Sequence, residues 1–125
     1  MAQKSKTVVL NTSGVSMQDV IDVARYGAKV EISDEAKKAI EASRKYIDDY
    51  TAGGKAIYGV STGFGALADK FIEPGDRVQL QKSLIRSHAA GVGAPVEREV
   101  VRALIFLRLR TMTSGRTGVR YELAK

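Results

Sequence analysis

One segment, residues 96–113, constrains the fold of this chain more than any other. It is predicted to be a single helix that starts just after Pro95, because proline suits the first turn of a helix. Its apolar side chains point in nearly every direction around the helix axis, and a helix of that kind belongs in the interior of a large structure. The remaining segments are too short to cover it, so the sequence predicts the core helix of a larger protein. The apolar positions are Val100, Val101, Ala103, Leu104, Ile105, Phe106, Leu107 and Leu109.

The first half of the chain reads as ordinary scaffold. A short strand is predicted at residues 7–10, and Val30 to Ile32 form a second brief extended piece. Between them, a helix over residues 16–26 begins with Ser16, which is followed three positions later by an acidic residue in the pattern of a capping box. Ser33 is placed to cap a second helix over residues 33–51. The sequence therefore predicts a mainly α-helical fold with a short β element.

Residues 57–76 differ from this scaffold because they follow neither the helical nor the strand period. They contain four glycines and one proline, and an irregular run of about twenty residues is longer than most connections in a compact domain. Tyr58, Phe64 and Phe71 lie within it, and a disordered tether would contain few such residues. We therefore expect a long, ordered glycine-rich loop with a functional role.

A second glycine-containing segment follows this loop. A helix is predicted to begin at Gly75-Asp76 and to run to about His88, the only histidine in the chain. Gly91 and Gly93 then end the helical pattern. The first loop and this segment are the predicted chemical part of the chain.

Composition excludes several kinds of protein. The net charge of +6 is spread along the chain, mixed with acidic residues and without interleaved aromatic side chains, so nucleic-acid binding is not expected. The absence of cysteine removes disulfide and thiolate chemistry. No long apolar run follows residues 1–6, so neither a signal peptide nor a membrane partner is expected, and a cytoplasmic location is predicted.

From the sequence pattern alone, each candidate residue could have either a functional role or a purely structural one. Tyr58 could be a catalytic acid or base, but most tyrosines are packed rings with a hydrogen-bonded hydroxyl. His88 could bind a substrate or move a proton, or it could simply lie at the end of its helix. A metal site is not expected, because a single histidine without cysteine offers too few ligands. No base stands at a recognisable spacing from a serine, so a hydrolase triad is not indicated.

Three motifs together closely resemble the N-terminal region of the aromatic amino acid ammonia-lyases and aminomutases. They are Tyr58-Gly-Val-Ser-Thr-Gly-Phe-Gly65, the longer Leu80-Gln-Lys-Ser-Leu-Ile-Arg-Ser-His-Ala-Ala-Gly-Val-Gly93, and Ser114-Gly-Arg-Thr-Gly-Val-Arg120. The resemblance covers essentially residues 1–125, is strongest to the bacterial histidine ammonia-lyases, and implies the helical fold shared with L-aspartase and fumarase. It implies a homotetramer that converts the amino acid histidine to urocanate and ammonia.

The resemblance also implies roles for particular residues. Tyr58 matches the tyrosine that removes the substrate's β-proton, and Ser87 with His88 matches the pair that contacts the substrate side chain. The resemblance further implies a methylidene-imidazolone electrophile (MIO), which the family makes autocatalytically from Ala-Ser-Gly. The positions that would shape or line the pocket are Gly59, Thr62, Gly63, Gly65 and Leu84.

The chain departs from the family pattern in one respect that matters for activity. No Ala-Ser-Gly occurs in it, because Ala42-Ser43 is followed by Arg44. We therefore expect these 125 residues to lack the electrophile, to be inactive alone, and to act with the remainder of a lyase or with further copies. Two alternatives stay open. One is a tyrosine or phenylalanine ammonia-lyase or aminomutase, and the other is a non-catalytic oligomerisation module whose apolar helix binds a partner.

Overall fold

The computed structural model describes residues 6–125. Residues 1–5, on which the expectation of no leader segment partly rests, lie outside them. The elements follow one another as β1 Thr7–Leu10, α1 Met17–Ala24, β2 Lys29–Ile32, α2 Asp34–Ala52, α3 Arg77–His88, α4 Arg98–Thr113 and α5 Tyr121–Ala124. The prediction of a mainly helical chain with a short β element is therefore confirmed.

The chain divides into two compact units. Among the described residues, the first contains 6–47 and 95–125, and the second contains 48–94. The second unit is thus an insertion in the sequence of the first, and α2 passes from one into the other. In residues 6–125, no helix has both the length and the hydropathy needed to cross a membrane.

A βαβ arrangement starts the first unit. Strands β1 and β2 pair in parallel, with Thr7 opposite Lys29 and Leu10 opposite Ile32, and α1 forms the connection between them. Parallel strands require such a crossover, which explains why a helix stands between two four-residue strands. The sequence predicted both extended pieces but not their pairing.

Helix α1 begins as its sequence predicts. The Asp19 backbone N–H donates to Ser16 Oγ over 3.1 Å, and the Ser16 backbone N–H donates to Asp19 Oδ2 over 3.0 Å. This reciprocal capping box satisfies two backbone donors that the helix itself leaves unpaired. Lys6 adds an ion pair to the same carboxylate, with Nζ 3.3 Å from Oδ1. The Ser16 hydroxyl, then its backbone N–H, and then Lys6 lower the pKa of Asp19.

The core of the first unit lies where α4 meets the βαβ arrangement. Phe106 is 2% exposed and packs in one cluster with Val8, Leu10, Val23 and Ala28. Contacts between polar groups hold α4 against α1. Arg102 donates from Nε and Nη2 to the carbonyl oxygen of Val23, over 3.0 and 2.8 Å.

Much of α4 stays uncovered within the described residues, as its all-round apolar character predicts. Leu104 and Ile105 are 63% and 64% exposed, and Val100, Val101 and Leu107 are also exposed. The helix starts at Arg98 rather than at residue 96, because Glu97, the N-terminal cap, has a non-helical backbone conformation. In α3, the apolar side chains of Val78 and Ile85 are likewise exposed.

Replacing Phe106 with alanine should lower the free energy of unfolding of the 125-residue chain by about 3–5 kcal/mol, because the change leaves a cavity in the core cluster. Leu104→Ala, two positions away on the same helix, should change it by less than about 0.5 kcal/mol, because its side chain is exposed. Urea titration of the three proteins measures both values. Equal losses would contradict the placement of the core.

The Ser16→Ala variant should raise the pKa of Asp19 toward its ordinary value. A carboxyl whose pKa is lowered by folding stabilises the protein above its unfolded pKa, and that contribution disappears as the pH falls through the folded pKa. In Ser16→Ala this pH-dependent contribution should shrink, and loss of the cap should cost about 1 kcal/mol at neutral pH. Carboxyl NMR titration and unfolding curves from pH 7 down to strong acid test this, with Ser16→Thr as the control that keeps the hydroxyl.

Candidate active site

The glycine-rich loop owes its conformation to two buried hydroxyl groups. Ser61 is fully buried, and its Oγ accepts from the Ile57 backbone N–H over 2.8 Å and donates to the Lys55 carbonyl oxygen over 3.1 Å. Thr62 is 3% exposed, and its Oγ1 accepts from the Gly59 backbone N–H over 3.3 Å. Irregular backbone needs such partners, because a buried unpaired N–H or C=O group is costly. The expected ordered loop therefore has a physical basis.

Backbone hydrogen bonds close the loop on itself. The Gly63 N–H donates to the Lys70 carbonyl oxygen over 3.0 Å, and the Ile72 N–H donates to the Ser61 carbonyl oxygen over 2.9 Å. An isolated antiparallel bridge joins the same two segments of the loop, and 3₁₀ turns span Gly65–Leu67 and Pro74–Asp76. The predicted irregular run is thus a compact hairpin-like loop.

Tyr58 projects from this loop with its ring supported from the side. Its ring meets Phe64 edge to face, with the centroids 5.9 Å apart and the planes at 82°. The backbone N–H of Gly65 lies 3.4 Å from the Tyr58 hydroxyl oxygen, which accepts from it. The side chain nevertheless remains 64% exposed. A phenol whose ring and hydroxyl are each held by one contact, and whose surface is mostly exposed, can reach a bound molecule.

Two of the loop glycines are required by the geometry. Gly59 has a φ of +70°, and a Cβ atom added there would lie 2.8 Å from Cε1 of Phe64. At Gly63 an added Cβ would lie 2.6 Å from Cβ of Leu67. A side chain at Gly59 would collide with the Phe64 ring that supports Tyr58, and one at Gly63 would collide with Leu67 within the same loop.

Helix α3 carries the second group of candidate residues within the same unit. Gln81 connects it to the loop through a 3.5 Å hydrogen bond from Nε2 to the Gly59 carbonyl oxygen. Leu84 is half-buried, and Ser87 and His88 are exposed in the last turn of the helix. Ser87 Oγ and His88 Nδ1 are 2.9 Å apart. The chain therefore presents a polar pair at the C-terminal end of α3.

All candidate residues named from the sequence lie in the unit of residues 48–94. Tyr58, Gly59, Thr62 and Gly65 belong to the loop, and Leu84, Ser87 and His88 belong to α3. Sequence reasoning missed Ser61 and Gln81 as supporting residues, and it used Phe64 only as an indication that the loop is ordered. A hydroxyl residue inside a glycine-rich run was a signal for Ser61, whereas nothing in the local sequence marked Gln81.

No group of three or more histidine, aspartate or glutamate side chains converges into a metal site within residues 6–125. The precursor of the implied electrophile also fails a structural test. Ser43 lies inside α2, is followed by Arg44, and accepts a 3.0 Å hydrogen bond from the Gly118 backbone N–H. A serine held inside a helix and followed by an arginine does not fit a cyclising Ala-Ser-Gly, so Ala42-Ser43 is not a precursor of that group.

The family profile of the aromatic amino acid lyases matches residues 15–125. The chain belongs to the aromatic amino acid lyase family. It is 58% identical over 119 residues to a histidine ammonia-lyase of Streptomyces coelicolor, covering 95% of this chain and 23% of that enzyme. The chain thus spans about a quarter of the length of the lyases that it matches.

Solved structures of the family agree with the fold. The chain is similar to the ergothioneine-degrading ergothionase of Treponema denticola, with a TM-score of 0.91 and 33% identity, covering 95% of this chain and 24% of that one. It is also similar to the tyrosine aminomutase of Streptomyces globisporus, with a TM-score of 0.88 and 30% identity, covering 94% of this chain and 22% of that one. These aromatic amino acid lyase relatives confirm the resemblance drawn from the three motifs.

Gly59→Ala should loosen the loop, because it combines an unfavourable positive φ with a collision against the Phe64 ring. The strain from φ alone costs about 1–2 kcal/mol. Hydrogen exchange at the amides of Gly63 and Ile72, which close the loop, should accelerate at least about ten-fold. Gly75→Ala is the matched control, because an added Cβ there meets nothing within 4 Å. Unchanged exchange in Gly59→Ala would show that the loop does not depend on this contact.

Proposed function

We propose that this chain forms the tyrosine-loop side of the active site of a histidine ammonia-lyase, which converts L-histidine to urocanate and ammonia. The observation that carries the proposal is the exposed Tyr58 phenol on a closed loop, in the same compact unit as the exposed imidazole of His88. The 58% identity to the Streptomyces coelicolor enzyme over 95% of the chain supports the choice of reaction.

In this proposal Tyr58 acts as the base. The elimination breaks the substrate's Cβ–H and Cα–N bonds and forms a carbon–carbon double bond, so one group must take the β-proton while the amine leaves as ammonia. Tyr58 is held by Phe64 and by the Gly65 N–H yet stays open at its surface, as proton removal from a bound molecule requires. A loop of this kind can also exclude water when substrate binds.

Ser87 and His88 take the role of side-chain recognition. An imidazole ring buried without hydrogen-bond partners for its nitrogens would lose about 1–3 kcal/mol of affinity for each unpaired group. A polar pair at the end of α3 offers such partners, and Leu84 next to it offers an apolar surface. A site built to hydrogen-bond its substrate discriminates strongly against analogues without that group.

We further propose that the electrophile and the contact partners of this chain come from polypeptide other than these 125 residues. The MIO electrophile of the family would activate the substrate's amine, and its Ala-Ser-Gly precursor would come from elsewhere in a complete lyase. The exposed apolar side chains of α4 support contact with that remainder or with further copies in a homotetramer. We also propose a cytoplasmic location, as the composition predicts.

Two alternatives have observations in their favour. The similarity to a tyrosine aminomutase supports a tyrosine- or phenylalanine-specific lyase or aminomutase. The uncovered face of α4 supports a non-catalytic oligomerisation module. Turnover of histidine, tyrosine, phenylalanine and ergothioneine by the complete enzyme separates the substrates. Discrete oligomers of the 125-residue chain without any lyase partner would favour the module.

Tyr58→Phe in the complete enzyme should lower kcat for urocanate formation by about 10²–10⁴-fold, because it removes the hydroxyl of the proposed base and keeps the ring that packs against Phe64. Urocanate absorbance measures the rate. Tyr26→Phe is the control: it makes the same chemical change at an exposed ring in the other unit, and the rate should not change. Full activity of Tyr58→Phe would rule out its role as base. The 125-residue chain alone should form no urocanate.

A further inference from the structure

Three polar atoms form a closed triangle in the last turn of α3. Ser87 Oγ lies 2.8 Å from the Leu84 carbonyl oxygen and 2.9 Å from His88 Nδ1. His88 Nδ1 in turn lies 3.0 Å from the same carbonyl oxygen. All three separations are hydrogen-bond distances, so the protons must be distributed to suit all of them.

Counting donors decides which ring nitrogen of His88 carries the proton in the neutral imidazole. A carbonyl oxygen only accepts, and a serine hydroxyl has a single proton to donate. With a bare Nδ1, that nitrogen and the Leu84 oxygen would face each other as two acceptors 3.0 Å apart. With a protonated Nδ1, both contacts to Leu84 become donor–acceptor pairs, and the ring N–H also faces a lone pair of Ser87 Oγ.

We propose that Ser87 and the Leu84 carbonyl hold neutral His88 in its Nδ1–H form, so that Nε2 is a hydrogen-bond acceptor for the substrate's side chain. The hydrogen bond made by one ring nitrogen of a histidine fixes the state of the other. The consequence for catalysis rests on the proposed function. Ser87 is then a positioning residue that acts through His88, rather than one that must touch the substrate itself.

This assignment narrows the class of substrate. An acceptor at Nε2 requires a donor on the bound side chain, and the ring N–H of histidine or the phenol O–H of tyrosine supplies one. The phenyl ring of phenylalanine does not. Such a site should reject phenylalanine relative to histidine on the order of 10⁴-fold in kcat/KM. The chemical class is therefore an amino acid whose aromatic side chain donates a hydrogen bond.

The ring nitrogens can be observed directly, because His88 is the only histidine in the chain. Long-range ¹H–¹⁵N NMR of the ¹⁵N-labelled 125-residue protein is recorded above about pH 8, where imidazoles are ordinarily neutral. We expect a protonated Nδ1 and a bare Nε2. In Ser87→Ala the signals should move toward a mixture of the two tautomers, and Ser87→Thr should restore the original pattern.

A serine one turn earlier provides the matched control. Ser83 accepts a hydrogen bond from Gln79 and is also exposed on α3, so Ser83→Ala should leave the His88 signals unchanged. A protonated Nε2 in the unmodified protein would overturn the proposal. So would an equal mixture of tautomers that Ser87→Ala leaves as it is.

Kinetics of the complete enzyme supply the second readout. Ser87→Ala should raise KM for histidine about 3- to 10-fold, the loss expected for one hydrogen bond, and Ser87→Thr should restore it. A raised KM with an unchanged tautomer would overturn the positioning role and indicate direct contact with substrate. Full activity of Tyr58→Phe, by contrast, would overturn the proposed function and leave the NMR result standing, so the two failures are distinguishable.

Discussion

The loop that presents Tyr58 depends on the hydroxyl groups of Ser61 and Thr62. These side chains have almost no contact with solvent, and they bind backbone groups that no helix or strand would satisfy. Glycine alone makes a segment flexible, whereas glycine with buried hydroxyl partners makes it a defined surface. The edge-to-face contact with Phe64, which belongs to the same loop, fixes the position of the Tyr58 ring. A reacting side chain can in this way lie on irregular backbone and still keep a fixed orientation.

Helix α4 has one buried side and other apolar sides that are exposed to solvent. Phe106 fills the centre of the first unit, while Leu104 and Ile105 on other sides of the helix face solvent. Burying one such side chain stabilises a protein by about 1.5–3 kcal/mol. Contact between this face of α4 and further polypeptide would therefore add several such contributions. Arg102 of this helix has a different role, because it donates to the carbonyl oxygen of Val23 in the last turn of α1.

Sequence reasoning succeeded where the determinants are local. The start of α1 follows from Ser16 and Asp19, three residues apart, and the end of α3 near His88 follows from Gly91 and Gly93. The parallel pairing of β1 with β2 and the hydrogen bond from Gln81 to the loop join residues more than twenty positions apart, and no local pattern encodes them. The site residues came from the family motifs, whereas the triangle at the end of α3 depends on side-chain rotamers, which sequence does not fix.

The insertion of one unit inside the sequence of the other has a consequence for how the chain is made. The strands and α1 leave the ribosome well before α4, yet Phe106 and Arg102 must arrive before the first core can close. Contacts between residues more than seventy positions apart cost conformational entropy, because the intervening chain must close into a loop before burial of apolar side chains can stabilise the fold. The segment with Tyr58 is therefore synthesised while the βαβ arrangement of β1, α1 and β2 still lacks α4. Until α4 has been synthesised, the apolar side chains of this arrangement stay uncovered, and such surfaces bind chaperones or aggregate.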